Sequence, residues 1–207
     1  MRVAVYVDGF NVYYRALQRS RFKWLDLEAL ATRLLKPSDS VDLVRYFTAR
    51  VKPRPGFADA PRKQQIYLNA LKSSKVTRIH FGSFLSKSVR RPLAANPNQF
   101  VEVLDTEEKG SDVNLASYLL HDGWNKRYDL ALVLSQDTDL VEPIRLVTND
   151  LKLPVGVIWV SNTSPNPKLV SVASFVRHAS KSDLKAAQFA DPLPLLNGKI
   201  LNKPAGW

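Results

Sequence analysis

Apolar positions change their rhythm several times along the chain, and each change marks an element. Three short runs, VAVYVD (3–8), YDLALVLS (128–135) and PVGVIWVS (154–161), are apolar almost throughout and read as strands buried on both faces. SVDLVRYFTARV (40–51) alternates in part and is rich in β-branched and aromatic residues, which predicts another strand. TRIHFGSFLS (77–86) reads as one strand and QFVEVLD (99–105) as the next, with the basic KSVRRPLAANPN looping between them. Helical spacing appears in DLEALATRLLK (26–36), apolar at 27, 30, 31, 34 and 35, with Pro37 as its stop. GFNVYYRAL (9–17) and a stretch over about 62–73 also read as helices, the latter entered through the Pro-rich, basic KPRPGFADAPRK. SDVNLASYLLHDGW (111–124) predicts a helix with Ser111 as N-cap and Gly123 near its end. DTDLVEPIRLVTND (137–150) is helical if Pro143 lies in the first turn. After the polar NTSPNPK, LVSVASFVRHAS (169–180) predicts a short helix and a last strand.

Strands that are apolar throughout, alternating with helices, predict an α/β domain: a Rossmann-like, mainly parallel sheet with helices on both faces. The domain is expected over residues 1–180. A tail with three Pro, 181–207, is expected to pack on it or trail from it. In such folds ligands bind beyond the carboxyl ends of the strands, where the strand order reverses.

The 207 residues suffice for one sizeable domain, and no apolar run reaches membrane-spanning length. The apolar run at the N-terminus is too short for a secretory signal, so the expected location is the cytoplasm. With no Cys and only three scattered His, a metal would be held by oxygen ligands. Charge adds more. The formal net charge is +11, and the segment from Arg50 to Arg91 carries eleven Lys and Arg against a single acid, Asp59. The acids gather elsewhere, notably in VEVLDTEEKGSD. Cations to hold a phosphate backbone beside carboxylates to hold a metal are the requirements of phosphodiester chemistry. A solubilising basic face is the plainer alternative.

The acids fall where the strand rule points. Asp8 closes the first strand, Asp137 and Asp139 follow the strand 130–135, and Asp112 opens a helix. Each taken singly could be a cap or a first-turn acid favoured by the helix dipole. Converging, they would repel one another and raise their pKa values unless a cation such as Mg²⁺ or Mn²⁺ neutralised them. Such an ion would activate a water and stabilise the departing oxygen. Asn11 follows Asp8 by one turn and could bond a ligating carboxylate or the phosphate.

Three blocks, YVDGFNVYY, EEKGSDVNLASYLL and DLALVLSQDTDLVEPIRLV, resemble those of the NYN domain, a bacterial branch of the PIN-like metal-dependent ribonucleases. Asp8 and Asn11 match its Asp-x-x-Asn block. Lys109, Gly110 and Asp112 match its Lys-Gly-x-Asp block, and Ser135, Asp137 and Asp139 its Ser-Gly-Asp-Ser-Asp block. The late SDLKAAQFADPL extends the likeness over most of the chain. The resemblance implies a PIN-like sheet and endonucleolytic cleavage of RNA with Mg²⁺ or Mn²⁺. Asp8, Asp112, Asp137 and Asp139 would serve as ligands and catalytic groups, with Asn11 and Ser135 in support. Gln136 departs from the usual Gly, Thr138 from Ser and Leu140 from Phe. If the Gly serves a positive-φ turn, Gln136 narrows the site.

Arg54, Arg62, Lys63, Lys87, Arg90 and Arg91 are the expected phosphate contacts, and Phe57 the best candidate to stack on an unpaired base. Phe81, Phe84 and Tyr67 are interleaved with them, and Tyr13 or Tyr14 could line the pocket. Asp105, Glu107 and Glu108 are second-choice ligands. The expected partner is RNA with unpaired bases, with a homodimer left open. The competing readings are an RNA-binding or regulatory protein without turnover, and a phosphatase or DNA nuclease using the same acids.

Overall fold

The structure, a computed structural model, describes residues 1–53 and 55–207. Its first strand, β1 (Arg2–Asp8), is buried from Val3 onward. It is the centre of a six-stranded parallel sheet completed by β2 (Ser40–Thr48), β3 (Thr77–Phe81), β6 (Leu130–Leu134), β7 (Val155–Trp159) and β8 (Phe175–His178). The order is β3-β2-β1-β6-β7-β8. The chain winds outward from β1 in one direction, returns, and winds outward in the other, so the order reverses between β1 and β6.

The apolar runs that looked continuous divide cleanly between two faces. Val3, Val5, Val7, Leu130, Leu132 and Leu134 pack on one side with α2 (Leu27–Leu34) and α3 (Ala60–Leu71). Ala4, Tyr6, Ala131 and Val133 pack on the other with α4 (Ser111–Trp124), α5 (Val141–Arg145) and α6 (Pro167–Val172). Leu119 of α4 is wholly buried on that second face; truncation to Ala there costs about 2–5 kcal/mol. The first helix, α1 (Gly9–Val12), runs on as a π turn over Tyr13–Leu17. Gly9 is required where α1 leaves β1, because a Cβ there would lie 2.8 Å from the Phe47 carbonyl and 2.6 Å from the Tyr46 ring.

Three expectations are corrected. TRIHFGSFLS is not one strand: β3 stops at Phe81 and the chain leaves the sheet at Gly82. The basic stretch after it is no loop but most of β4 (Ser83–Leu93), paired antiparallel with β5 (Asn96–Lys109) in a separate two-stranded arm. Ser111 is not the N-cap of α4. Gly110 holds that place at φ 97°, a left-handed conformation that costs glycine little.

Pro143 is the third residue of α5, in its first turn, behind a 3₁₀ turn over Thr138–Leu140. After β8 the chain forms α7 (Lys181–Ala186), opened by a Ser180–Asp183 capping box, and a small hairpin of β9 (Leu193–Pro194) and β10 (Ile200–Leu201). Leu184, Ala187 and Phe189 join the first core, and Trp207 stacks edge-on against Trp24. Among the described residues no helix is long and apolar enough to cross a membrane.

Candidate functional site at the strand-order reversal

β1 ends in Asp8 and β6 ends just before Ser135, and the two strands are direct neighbours. Their carboxyl ends therefore deliver both blocks to one edge. Asp8 is 5% exposed. One of its oxygens accepts the Asn11 N–H at 2.9 Å and caps α1, while the other accepts the Ser135 hydroxyl at 3.0 Å. Ser135 Oγ in turn accepts the Asp137 N–H at 3.2 Å, and Asp137 Oδ1 accepts the Asp139 N–H at 3.0 Å. The capping roles open to Asp8 and Asp137 in the sequence are thus both real, and they fix the two acids beside each other.

Asp112 arrives from the first turn of α4. Burial raises its pKa to about 6, and the charges of Asp8, Asp137, Glu108 and Asp139 push it the same way. Asp8 is also raised, first by burial and then by Asp137 and Glu108, although the Asn11 N–H and Ser135 hydroxyl hold it back. Five carboxylates therefore share one field. Among the described residues none of the five forms an ion pair.

Glu108, a second choice in the sequence, belongs to this cluster. It accepts the Ser111 N–H at 3.2 Å and the Ser111 hydroxyl at 2.5 Å, locking the β5–α4 junction. Asp105 and Glu107 do not belong to it. They are held on the arm by Arg91 at 2.8 Å and Lys109 at 2.5 Å. Strand alternation was the available signal, because residue 108 faces opposite to 105 and 107.

The donor set is all carboxylate oxygen, which suits a hard cation such as Mg²⁺ or Mn²⁺. No three of these side chains point at one common ligand position among the described residues. Both Asp8 oxygens and one of Asp137 are already engaged in hydrogen bonds. The chemistry fits a cation held partly through water, which Mg²⁺ commonly accepts.

Ser135 is 1% exposed, and its hydroxyl, donating to Asp8 and accepting the Asp137 N–H, positions those two acids. Asn11 accepts the Gln136 N–H at 3.1 Å and ties the two strand ends together. Gln136 does not have a positive φ and does not enter the site. Its buried amide, oriented with the oxygen toward the end of β7, accepts the Ser161 N–H at 2.9 Å and the Val160 N–H at 3.2 Å.

The expected substrate contacts lie apart. Arg62 is exposed at the start of α3, and Lys63, paired with Asp59 at 2.7 Å, is near enough to Tyr13 for its charge to act on that phenol. Phe57 is exposed, and Arg54 lies outside the described residues. Lys87, Arg90 and Arg91 are exposed on the arm. Tyr67 is core, donating to the Leu25 carbonyl, whereas Phe84 packs edge-on against Phe10 at the root of the arm. Phe10 stacks on the exposed Tyr14.

The sequence reading missed a second ionic site at the other end of α4. Asp122, wholly buried, accepts from Arg45 at 2.6 and 2.9 Å, from the Tyr6 hydroxyl at 2.8 Å and from Arg127 at 3.1 Å. Arg45 also lies 4.2 Å over the Tyr118 ring and 3.0 Å from His80. Burial, then the Arg45 charge, lowers the His80 pKa to about 4.

Comparison with known proteins agrees with this fold. A solved structure of a Vibrio parahaemolyticus protein of unknown function superimposes with a TM-score of 0.59 over 87% of this chain and 93% of that one. At 15% identity this shows the fold. A curated relative, 6-hydroxy-3-succinoylpyridine 3-monooxygenase HspA of Pseudomonas putida, is 27% identical over 237 aligned positions, spanning all of this chain and 75% of that protein. The model of the NYN domain matches residues 2–179, from the first strand to the end of the last strand of the sheet, so the chain belongs to the NYN domain family.

Proposed function

We propose that the chain is a metal-dependent endoribonuclease, hydrolysing RNA phosphodiester bonds at the carboxylate cluster with Mg²⁺ or Mn²⁺. One observation carries the reading. Five acids lie within one another's field at the reversal of strand order, none with a cationic partner among the described residues, and burial, reinforced by the neighbouring charges, raises Asp112 to about 6. A folded protein keeps such a cluster only at a cost, unless a bound cation removes it. Asp8, Asp112, Asp137 and Asp139 would hold the ion, while Ser135 and Asn11 keep Asp8 and the Gln136 backbone in place. When bound, the ion lowers the pKa of a water and stabilises the charge on the leaving oxygen. Arg62, Lys63 and the arm cations supply phosphate contacts, and Phe57 and Tyr14 supply exposed rings for unpaired bases.

The test is cleavage of a labelled mixed-sequence RNA with Mg²⁺, with Mn²⁺ and with EDTA, comparing wild type with Asp137→Asn. Metal-dependent fragments from wild type alone support the reading. RNA bound equally by both proteins and left intact supports the RNA-binding alternative on the same fold. The likeness to a monooxygenase favours a second reading, oxidation of a hydroxylated pyridine-like ring. It predicts oxygen-dependent consumption of such a compound in the presence of an added two-electron reductant, with RNA untouched. The first βα turn, DGFN, lacks the glycine pattern of a dinucleotide site, which places this reading second.

A further inference from the structure

Beyond β6, the carboxyl ends of β7 and β8 border a cavity on the same edge of the sheet as the carboxylate cluster. Val160 follows β7 directly and Ala179 follows β8 directly, and with Leu184 of α7 they form its floor. All three belong to the first core, so this floor is apolar and fixed by packing. Phe22 and Ala16 complete it.

The rim is polar. Arg15 reaches it from the π turn that continues α1, Asn162 from the loop after β7 and Lys181 from the first residue of α7. Among the described residues neither cation forms an ion pair. The Asn162 amide has no protein partner either, whereas the Ser20 and Ser161 hydroxyls beside it bond the Leu17 carbonyl and Thr163. The groups left to meet a ligand are therefore one amide and two cations above an apolar floor.

Two features tie the cavity to the carboxylate cluster. α1, capped by Asp8, leads in seven residues to Arg15, about 10 Å along at about 1.5 Å per residue. Gln136, next to Asp137, accepts the Val160 and Ser161 N–H groups and so fixes the wall nearer the cluster. A Gly at that position would have no side chain to do this.

We propose that the cavity holds one pyrimidine base of the RNA, with Asn162 on the base edge and Arg15 and Lys181 on the flanking phosphates. The inference rests on the reading of RNA as the substrate. Size selects the base. A cavity of about 150 Å³ takes benzene. One of about 100 Å³ has room for a single ring and leaves the second ring of a purine outside. The apolar floor, with the Phe22 ring in it, offers a surface for the base, and an amide supplies the donor and acceptor that a pyrimidine edge requires. Inorganic phosphate alone would use the cations and leave the floor and the amide without a role. RNA advancing about 3.4 Å per stacked nucleotide covers the 10 Å from Asp8 in about three, and in fewer when extended. The bound base is thus close in sequence to the scissile bond.

Fluorescence anisotropy of labelled hexauridylate, hexacytidylate and hexaadenylate with the full chain in EDTA tests this without cleavage. The wild type should bind both pyrimidine RNAs at least about fivefold more tightly than hexaadenylate, the scale of one or two hydrogen bonds. Asn162→Ala should bring all three within about twofold by weakening the pyrimidine RNAs alone. Arg15→Glu and Lys181→Glu should weaken all three about tenfold. Lys36→Glu, the same change of charge on the approach to β2 at the amino edge, should leave them within about twofold, since it lies beyond the range of unscreened charge. Each of these positions is exposed, so the variants keep the fold. Equal wild-type affinities, a preference that survives Asn162→Ala, or a Lys36→Glu loss as large as that of Lys181→Glu each overturn the pocket. Metal-dependent cleavage judges the nuclease reading separately. Preference without cleavage keeps the pocket and removes the nuclease, and cleavage without preference does the reverse.

Discussion

Helix α4 delivers one buried or half-buried aspartate to each end of the same sheet face, and the two ends treat them in opposite ways. Asp122, at the far end, is wholly buried, yet Arg45, Arg127 and the Tyr6 hydroxyl take up both its oxygens. Asp112, ten residues earlier in the chain, is half-buried among other carboxylates, and burial first, then their charges, raises its pKa to about 6. One end is electrostatically closed and the other is not. Breaking a buried charge pair leaves an uncompensated charge and costs stability, whereas a cluster of like charges without partners is a candidate functional site.

Substitutions at the two ends should separate those roles. The largest effect expected is on turnover: Asp112→Asn lowers metal-dependent RNA cleavage by about 100- to 1,000-fold, the scale of losing one preorganised charge-stabilising group. Its circular dichroism and RNA affinity should stay as in wild type, and a variant that cleaves normally would remove Asp112 from the site. At the closed end, Arg45→Met leaves Asp122 with only Arg127 and Tyr6 and costs about 3–5 kcal/mol in urea unfolding. Cleavage per folded molecule should not change. A loss below about 1 kcal/mol would show that Arg127 and water can satisfy Asp122 unaided.

Metal binding should sharpen the contrast. Mn²⁺ or Mg²⁺ at about 100 times its dissociation constant stabilises the wild type by about 2.7 kcal/mol. Asp112→Asn should show less of this gain and Arg45→Met the same gain. Equal gains in all three would mean that the ion binds elsewhere.

The smallest effect is in the pH dependence of the metal-free protein. The folded state holds the Asp112 proton up to about pH 6, whereas the unfolded chain releases it near 3.8. This group therefore favours folding at low pH, and its contribution is lost as pH rises through about 6. In EDTA, Asp112→Asn should melt above wild type at pH 7.5 and lose that advantage by about pH 4. An advantage independent of pH would trace to packing rather than charge.

Much of this was legible before the structure. The runs 3–8, 130–134 and 155–159 are apolar on both faces, and only a parallel sheet covered on both sides buries such strands. Asp8, Asp112, Asp137 and Asp139 were readable as candidates because each sits at the end of an element, and the adjacency of β1 and β6 in the structure is what brings Asp8 and Asp137 to one edge. Asp122 was in principle readable too. It continues the stripe of Leu115 and Leu119 at helical spacing, and an acid on an apolar stripe needs buried partners. Those partners come from β1, β2 and the loop after α4, at separations in sequence that no local pattern announces.

The arm was misread for a related reason. Its alternation is weak because neither face is buried in a core, so charges stand among the apolar residues on both faces. Gly82 looked like an interruption within a strand. It is in fact the exit from the sheet, where a Cβ would lie 2.5 Å from the Lys109 carbonyl as the β5–α4 junction crosses it.

The sequence alone determined the layers and the strand and helix ends at which the acids sit, because those follow from local periodicity and from which residues end each element; strand order, and with it the direction of winding and the edge the acids share, came from the structure. Tertiary structure decided which acids remain without a cation. Charge compensation depends on partners dozens of residues away, as between Arg45 and Asp122, and on which face of a strand a carboxylate occupies, as with Glu108 against Glu107. Local patterns set where backbone goes, but the energy of a charge is set by everything within a few ångströms of it, and only the fold chooses those neighbours.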